Sequence, residues 1–201
     1  MLMRALVRNA SVFLFLSGAY LCAQFTPVMA RVNQEVYILK DGKQIESHNR
    51  SGYFYRSGDG SELYHWGTED GKAIARGTLK DNITGMHYQL DFANRKAVAA
   101  HKGRPTPPGL LQEAKAGDRP RDSVEGISCV VYSPKTEKAC WSIEYFLPLW
   151  DDLTLQNKQN QTTYHTVSRM SGIKLNAQVD PNLFDVHKNF QVYTPETTQQ
   201  P

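Results

Sequence analysis

The sequence of 201 residues lacks several features that mark large functional classes. It has no glycine-rich nucleotide-binding motif, and no stretch of three helical turns carries a convincing amphipathic stripe. The formal net charge is only +3, too small to indicate nucleic acid or an anionic surface as a partner. We therefore expect neither a nucleotide cofactor nor a nucleic-acid partner.

Long apolar runs are also scarce, and the one candidate lies at the N terminus. Arg4 and Arg8 precede an almost uncharged stretch over residues 10–23, and Val28-Met29-Ala30 then offers small residues to a signal peptidase. This order predicts a signal peptide over residues 1–30 and a mature chain that begins at Arg31. The exported protein would be periplasmic or extracellular.

Two other interpretations of the N terminus stay open. Leu21-Cys22-Ala23 offers an alternative cleavage site after Ala23, and an uncleaved segment would act as a membrane anchor. A spanning helix needs about 20 apolar residues, more than this run supplies, so we expect no stable membrane span after processing. Leu21 is too bulky for a lipoprotein signal at Cys22.

Cysteine is rare, and only Cys129 and Cys140 remain after processing. An even number of cysteines in an exported chain favours a disulfide. Strand-like residues flank the turn-like residues 133–136, and a four-residue loop there would place the two cysteines directly opposite each other. The spacing predicts a structural Cys129–Cys140 bridge. A redox-active dithiol is the disfavoured alternative, because its cysteines usually lie two residues apart at a helix start.

Short strands with tight turns dominate the rest of the chain. Asp-Gly pairs at residues 41–42, 59–60 and 70–71 are strong hairpin signals, because both residue types tolerate positive φ. Apolar and polar residues alternate over residues 86–92 and again over residues 173–180. These patterns predict antiparallel strands with one face exposed to water.

The resulting fold prediction is mainly β: a single strongly curved antiparallel sheet, half-barrel-like, of about eight to eleven strands with short helical turns. It occupies residues 31–194 as one domain. The Pro- and Gly-rich residues 103–122 predict an irregular loop in which residues 110–116 form one or two helical turns, and residues 195–201 a disordered tail. Asp180-Pro181 predicts a short helical turn before a last strand over residues 190–193.

Several motifs resemble those of a group of uncharacterised secreted bacterial proteins. Residues 54–60 (FYRSGDG) are similar to its YRDxxGR hairpin, and residues 81–91 (DNITGMHYQLD) to its DPxxGxxYxLD hairpin. Residues 180–186 (DPNLFDV) are similar to its DPxLFxVP ending, although His187 stands where the group has proline. The group is similar in outline to periplasmic lipoprotein carriers, which hold acyl chains in a half-barrel. The resemblance thus implies a curved sheet that binds a hydrophobic ligand.

Residues suited to catalysis or metal binding do not form a recognisable pattern. The acidic pairs Glu69-Asp70 and Asp151-Asp152 fall at turns, and no serine lies in a nucleophile elbow. No histidines have a metal-ligand spacing; we expect solvated histidines at His48, His65, His87, His101, His165 and His187. The sequence therefore predicts no metal, no cofactor and no catalytic residues, and a hydrolase is the least favoured function.

The most apolar segment after the N terminus covers residues 145–150 and is broken by Pro148. It predicts a core strand with a kink or bulge. In the alternative interpretation it lines an apolar groove, with Tyr145, Phe146, Leu149 and Trp150 as candidates. The leading functional hypothesis is a non-enzymatic periplasmic binding or carrier protein for a hydrophobic ligand or a lipidated partner. The alternative is a cell-envelope protein-interaction module.

Overall fold

The computed structural model describes residues 25–104, 117–133, 136–157 and 161–194. The predictions for residues 1–24, for helical turns over residues 110–116 and for the tail 195–201 lie outside these ranges. The helical segments in these ranges have four residues each, too few to span a bilayer. The elements are β1 (Val28–Lys40), β2 (Lys43–Arg56), β3 (Glu62–Glu69), β4 (Lys72–Lys80), β5 (Met86–Asp91), β6 (Lys96–Lys102), β7 (Arg121–Val124), β8 (Ile127–Tyr132), β9 (Glu137–Ser142), β10 (Leu147–Asn157), β11 (Thr162–Leu175), a 3-10 helix (Pro181–Phe184), α1 (Val186–Asn189) and β12 (Gln191–Tyr193).

The strands form one open sheet in the order β12-β6-β5-β4-β3-β2-β1-β11-β10-β9-β8-β7. Neighbouring strands are antiparallel except β12, which pairs in parallel with β6. The predicted fold class, one curved and mainly antiparallel sheet with short helical turns, is confirmed. The described residues form twelve strands, more than the predicted eight to eleven.

All three Asp-Gly pairs lie in hairpin connections, as predicted, and two of them form two-residue turns. Asp41 and Gly42 have φ values of 51° and 75°, and Asp70 and Gly71 have 49° and 76°. Consecutive positive φ values match the twist of antiparallel strands, and these residue types adopt them at low cost. These turns join β1 to β2 and β3 to β4.

Some strand boundaries differ from the prediction. β2 runs without interruption from Lys43 to Arg56, because the register shift between Ser51 and Gly52 does not end the strand. A Cβ at Gly52 would lie 2.1 Å from the carbonyl oxygen of His65, so only glycine fits there. Conversely, β11 ends at Leu175, short of the alternating pattern that predicted a strand to Asp180.

The curvature follows from the way the sheet buries its apolar residues. We call the side that carries Val28, Ala30 and Val32 the first face; cross-strand neighbours share a face. On it, Trp66 of β3 and Cys129 of β8 belong to one buried cluster. Five strands separate β3 from β8 in the sheet. The sheet is curved enough for Arg56 of β2 to donate hydrogen bonds to the turn between β9 and β10, across β1 and β11.

The opposite side, the second face, carries a second core. Leu63, Leu79 and Leu90 of β3, β4 and β5 pack there with Val186 and Phe190 of the C-terminal segment. The C-terminal turns therefore cover the second face of β3–β6. The first face of the same strands lies outside this cover, and it carries the cavity described below.

Arg56, at the end of β2, is fully buried and joins distant segments. Its Nε and Nη2 donate to the Thr26 carbonyl oxygen at 3.2 and 3.0 Å. Its Nη1 and Nη2 donate to the carbonyl oxygens of Phe146 at 2.5 Å and Tyr145 at 2.6 Å. Glu62, the cross-strand neighbour of Arg56, supplies a nearby negative charge. The guanidinium thus fixes the turn between β9 and β10 against the start of β1.

The structure contains the Cys129–Cys140 disulfide, with a Cα–Cα distance of 5.4 Å. The predicted register around it is wrong, however. Val131, rather than Cys129, pairs with Cys140, and Tyr132 pairs with Ala139 rather than Glu137. The bridge is therefore diagonal across the β8–β9 pair. Six residues, 133–138, therefore lie between the paired ends of the two strands, and of these Glu137 and Lys138 pair with β10.

Candidate functional site

An open groove of about 450 Å³ lies on the first face over strands β2–β6. Its residues come from a cross-strand ladder in which Trp66 pairs with Arg76, Arg76 with Asp91, and Asp91 with Lys96. Ile74 and Val98, two residues from Arg76 and Lys96, lie on the same face and add apolar surface. We call this cavity the first-face groove. It combines an apolar floor with charged walls.

The charges of the first-face groove are unequal. Arg50 donates a hydrogen bond from Nε to Glu69 Oε1 at 2.5 Å, and this ion pair balances the charges at one end of the groove. Hydrogen bonds from Asn94, together with the positive charge of Arg76, hold the pKa of Asp91 below its usual value. Lys96 lies with its Nζ 5.9 Å from the ring centroid of Tyr193. Three cationic side chains therefore face two carboxylates, which leaves a net positive charge for an anionic group.

A polar ladder crosses the first face beside the groove. Ser168 Oγ donates to Asp151 Oδ2 at 3.3 Å, and Gln34 Nε2 donates to Ser168 Oγ at 3.3 Å. Burial raises the pKa of Asp151 to about 6, and the neighbouring Glu137 and Asp152 add to this rise. Among the described residues no lysine, arginine or histidine forms an ion pair with Asp151. The surroundings of Asp151 thus disfavour the ionised form of its carboxyl group.

The raised pKa of Asp151 predicts a specific pH dependence of the free energy of unfolding. Because its folded pKa lies above the ordinary value of 3.8, the free energy of unfolding falls as the pH rises from 3.8 to about 6, and the full cost of the carboxylate is present above that pH. After a discount for partial exposure, we expect Asp151→Asn to raise the free energy of unfolding by about 1–2 kcal/mol at pH 7.5. At pH 4 the gain should vanish. Urea unfolding at both pH values checks this.

The exposed Asp118→Asn is the matched control and should change stability at neither pH. An equal gain from Asp151→Asn at pH 4 and pH 7.5 would contradict the assignment, because it would show an effect of packing instead of charge.

Three of the four groove candidates of the apolar segment lie in or against the first-face core. Leu149 is fully buried in the first-face core, with Tyr145 and Trp150 packed against it. Tyr145 and Phe146 lie in the turn before β10, and the Trp150 indole donates to Asp122 Oδ2 at 3.3 Å. Pro148 lies at a register shift, as a kinked strand requires. These residues lie outside the lining of the first-face groove.

Several histidines have partners instead of being simply solvated. His48 Nδ1 lies 2.8 Å from Asp70 Oδ2, and His165 Nε2 lies 2.7 Å from Asp152 Oδ1. The hydrogen bond to Asp70 is the largest cause of a raised His48 pKa. His87 stacks on His101, with 4.1 Å between the ring centroids. In the described part of the chain, these groups do not form a cluster of three or more potential metal ligands.

Sequence reasoning missed the residues of the first-face groove. Alternation does place His87, Gln89 and Asp91 on one polar face of β5, but it does not show that Arg76 and Lys96 flank Asp91. That information lies in the register of three strands. The hairpin turn at residues 92–95 is the one local signal that links Asp91 to Lys96.

Comparison with known proteins gives similarity to solved structures only: no family model matches the chain, and no curated protein matches it. A LolA superfamily protein from Nitrosomonas europaea is 8% identical over 78% of this chain and 89% of its own, with a TM-score of 0.35. An outer membrane lipoprotein-sorting protein domain from Vibrio parahaemolyticus is 9% identical over 80% of this chain and 90% of its own, with a TM-score of 0.27.

The MucA/MucB complex of Pseudomonas aeruginosa is a further similar structure, at 13% identity and a TM-score of 0.37. The match covers 83% of this chain but only 58% of that one. At these identities and TM-scores the similarities carry no conclusion about what this chain binds.

Proposed function

We propose that this protein is an exported, non-catalytic binding protein whose first-face groove holds a ligand with an apolar chain and an anionic group. One observation carries the proposal. Trp66, an apolar floor residue, adjoins Arg76 and Lys96 through a single cross-strand ladder. The N-terminal sequence and the Cys129–Cys140 bridge support export, since disulfides persist in oxidising compartments.

The size and openness of the groove fit a small ligand. Ligand sites usually have volumes of about 300–1,000 Å³ and combine apolar walls with a few polar groups. Between β1–β3 and β8–β10 the curled sheet is filled by side chains such as Phe54, Leu147 and Leu149, all fully buried. An apolar chain therefore finds space over β3–β6, where Val98 is 40% exposed, and not inside the core.

Binding of palmitate and of hexadecanol tests the proposal, because the two share an apolar chain and differ in the carboxylate. We expect palmitate to bind more tightly, and Arg76→Glu to weaken palmitate binding by about tenfold or more. Val98→Asp should weaken both ligands. Titration calorimetry and native mass spectrometry of the purified protein measure these effects.

Matched controls separate the groove from the rest of the surface. Arg31→Glu reverses an exposed charge on the second face, and Ile83→Asp changes a residue that is 72% exposed and outside the groove. Both should bind palmitate as the unmodified protein does. Equal binding of palmitate by the groove and control variants, or no binding at all, would contradict the proposal.

A second candidate, a protein-interaction module of the cell envelope, rests on the edge of the sheet. β12 pairs with only Lys96, Ala97 and Val98, whereas β6 continues to Lys102. The outer edge of β6 beyond Val98 is thus free of β12 and can accept a strand from another chain. A photo-crosslinker at Ala100 should then capture an envelope protein, and one at the exposed Ile83 should not.

A further inference from the structure

The residues just after the alternative cleavage site are part of the fold. Strand β1 begins at Val28, and Val28 and Ala30 pair with Arg56 and Phe54 of β2. Both side chains are almost completely buried, at 0% and 1% exposure, in the first-face core. Residues 28–30, which the preferred cleavage site would remove, therefore supply part of a central strand.

Phe25 is anchored by both backbone and ring. Its N–H donates to the Gly58 carbonyl oxygen at 2.9 Å, and the ring packs where a Cβ at Gly60 would lie 2.4 Å from it. Arg56 lies over the same ring, with its Cζ 5.5 Å from the centroid, and the Phe146 ring meets it edge-on at 6.3 Å. Gly60, in the loop after β2, thus leaves the space that the Phe25 ring fills.

Thr26 and Pro27 supply backbone acceptors. The Thr26 carbonyl oxygen accepts two of the hydrogen bonds of the buried Arg56 guanidinium. The Pro27 carbonyl oxygen accepts from the Ala177 N–H at 3.3 Å. A chain that began at Arg31 would leave Arg56 buried with fewer partners, which proteins avoid because an unsatisfied buried charge is costly.

From these contacts we infer that signal peptidase cleaves after Ala23, so that the mature protein begins at Gln24 and keeps Phe25–Ala30. Water hydrolyses the Ala23–Gln24 peptide bond, which leaves a carboxylate on Ala23 and an amino group on Gln24. Ala23 provides the small residue that the peptidase needs immediately before the cut. Because cleavage precedes folding, burial does not shield Ala30; the inference rests on what the product needs in order to fold.

The inference also rests on the proposed export, and one experiment tests both separately. The full precursor is produced in a bacterium, and the intact mass of the exported protein is measured under non-reducing conditions. We expect the chain 24–201, with or without loss of ammonia from its N-terminal glutamine. A chain 31–201 would overturn the cleavage site while leaving export intact. Uncut precursor retained in the cytoplasm would overturn both.

A substitution provides the second arm. Ala23→Phe places a bulky residue before the bond and should leave the precursor uncleaved, whereas normal processing of this variant after Ala30 would overturn the inference. Separately produced chains 24–201 and 31–201 should differ in thermal unfolding, with the shorter chain losing its cooperative transition or melting at a clearly lower temperature. Equal melting temperatures would also contradict it.

Discussion

Replacing Arg56 with methionine should lower the free energy of unfolding by about 3–5 kcal/mol. The variant keeps much of the apolar volume but removes the charge and every hydrogen bond to the carbonyl oxygens of Thr26, Tyr145 and Phe146. These oxygens belong to segments some 30 and 90 residues away from Arg56 in the chain. Chemical denaturation monitored by tryptophan fluorescence measures the loss.

Arg31→Met is the control, because Arg31 is exposed on the second face and should cost less than about 0.5 kcal/mol. Arg56→Lys should fall between the two, since an ammonium group cannot reach three carbonyl oxygens with the geometry of a guanidinium. A loss below about 1 kcal/mol in Arg56→Met would show that the hydrogen bonds seen in the structure contribute little to folding.

Removal of the disulfide is the second large perturbation. The cysteines lie 11 residues apart in sequence. Closing so short a loop lowers the conformational entropy of the unfolded chain, which stabilises the folded state by about 3 kcal/mol. We expect the double variant Cys129→Ala/Cys140→Ala to lose about this amount. Both sulfurs also belong to the buried first-face core, so their removal adds a small packing cost.

Reductant provides the matched control for the bridge. It should lower the unfolding midpoint of the unmodified protein and leave the double alanine variant unchanged. Two free thiols in protein recovered from an oxidising compartment would contradict the bridge, and so would an unfolding midpoint that does not respond to reductant.

Much of the architecture follows from local sequence. Asp41-Gly42 and Asp70-Gly71 select their turns because glycine and aspartate tolerate positive φ, and the flanking residues then pair as neighbours. The alternation over residues 86–92 places Tyr88 and Leu90 in the second core, as a strand with one wet face requires. Where neighbouring strands are joined by tight turns, sequence pattern and structure agree.

The other features of the structure depend on the pairing of strands that are distant in sequence, which no short stretch of residues reveals. The predicted register around the disulfide is wrong because six residues, and not four, separate Tyr132 from its partner Ala139, and the β8–β9 segment does not reveal this loop length. The first-face groove needs the register of four strands before Trp66, Arg76 and Lys96 become neighbours. Similarly, Val28 and Ala30 are buried because β1 pairs with both β2 and β11.

The central place of β1 in the sheet has a consequence for the order of folding. The β1–β2 hairpin joins residues that are close in sequence, but the other edge of β1 pairs with β11, where Val28 meets Leu175. Until β11 pairs with it, a strand of 13 residues presents unpaired backbone groups that can pair with other chains. Pairing across such a sequence separation is also slow. This edge of β1 is therefore the part of the unfinished sheet that is most exposed to mispairing until β11 joins it.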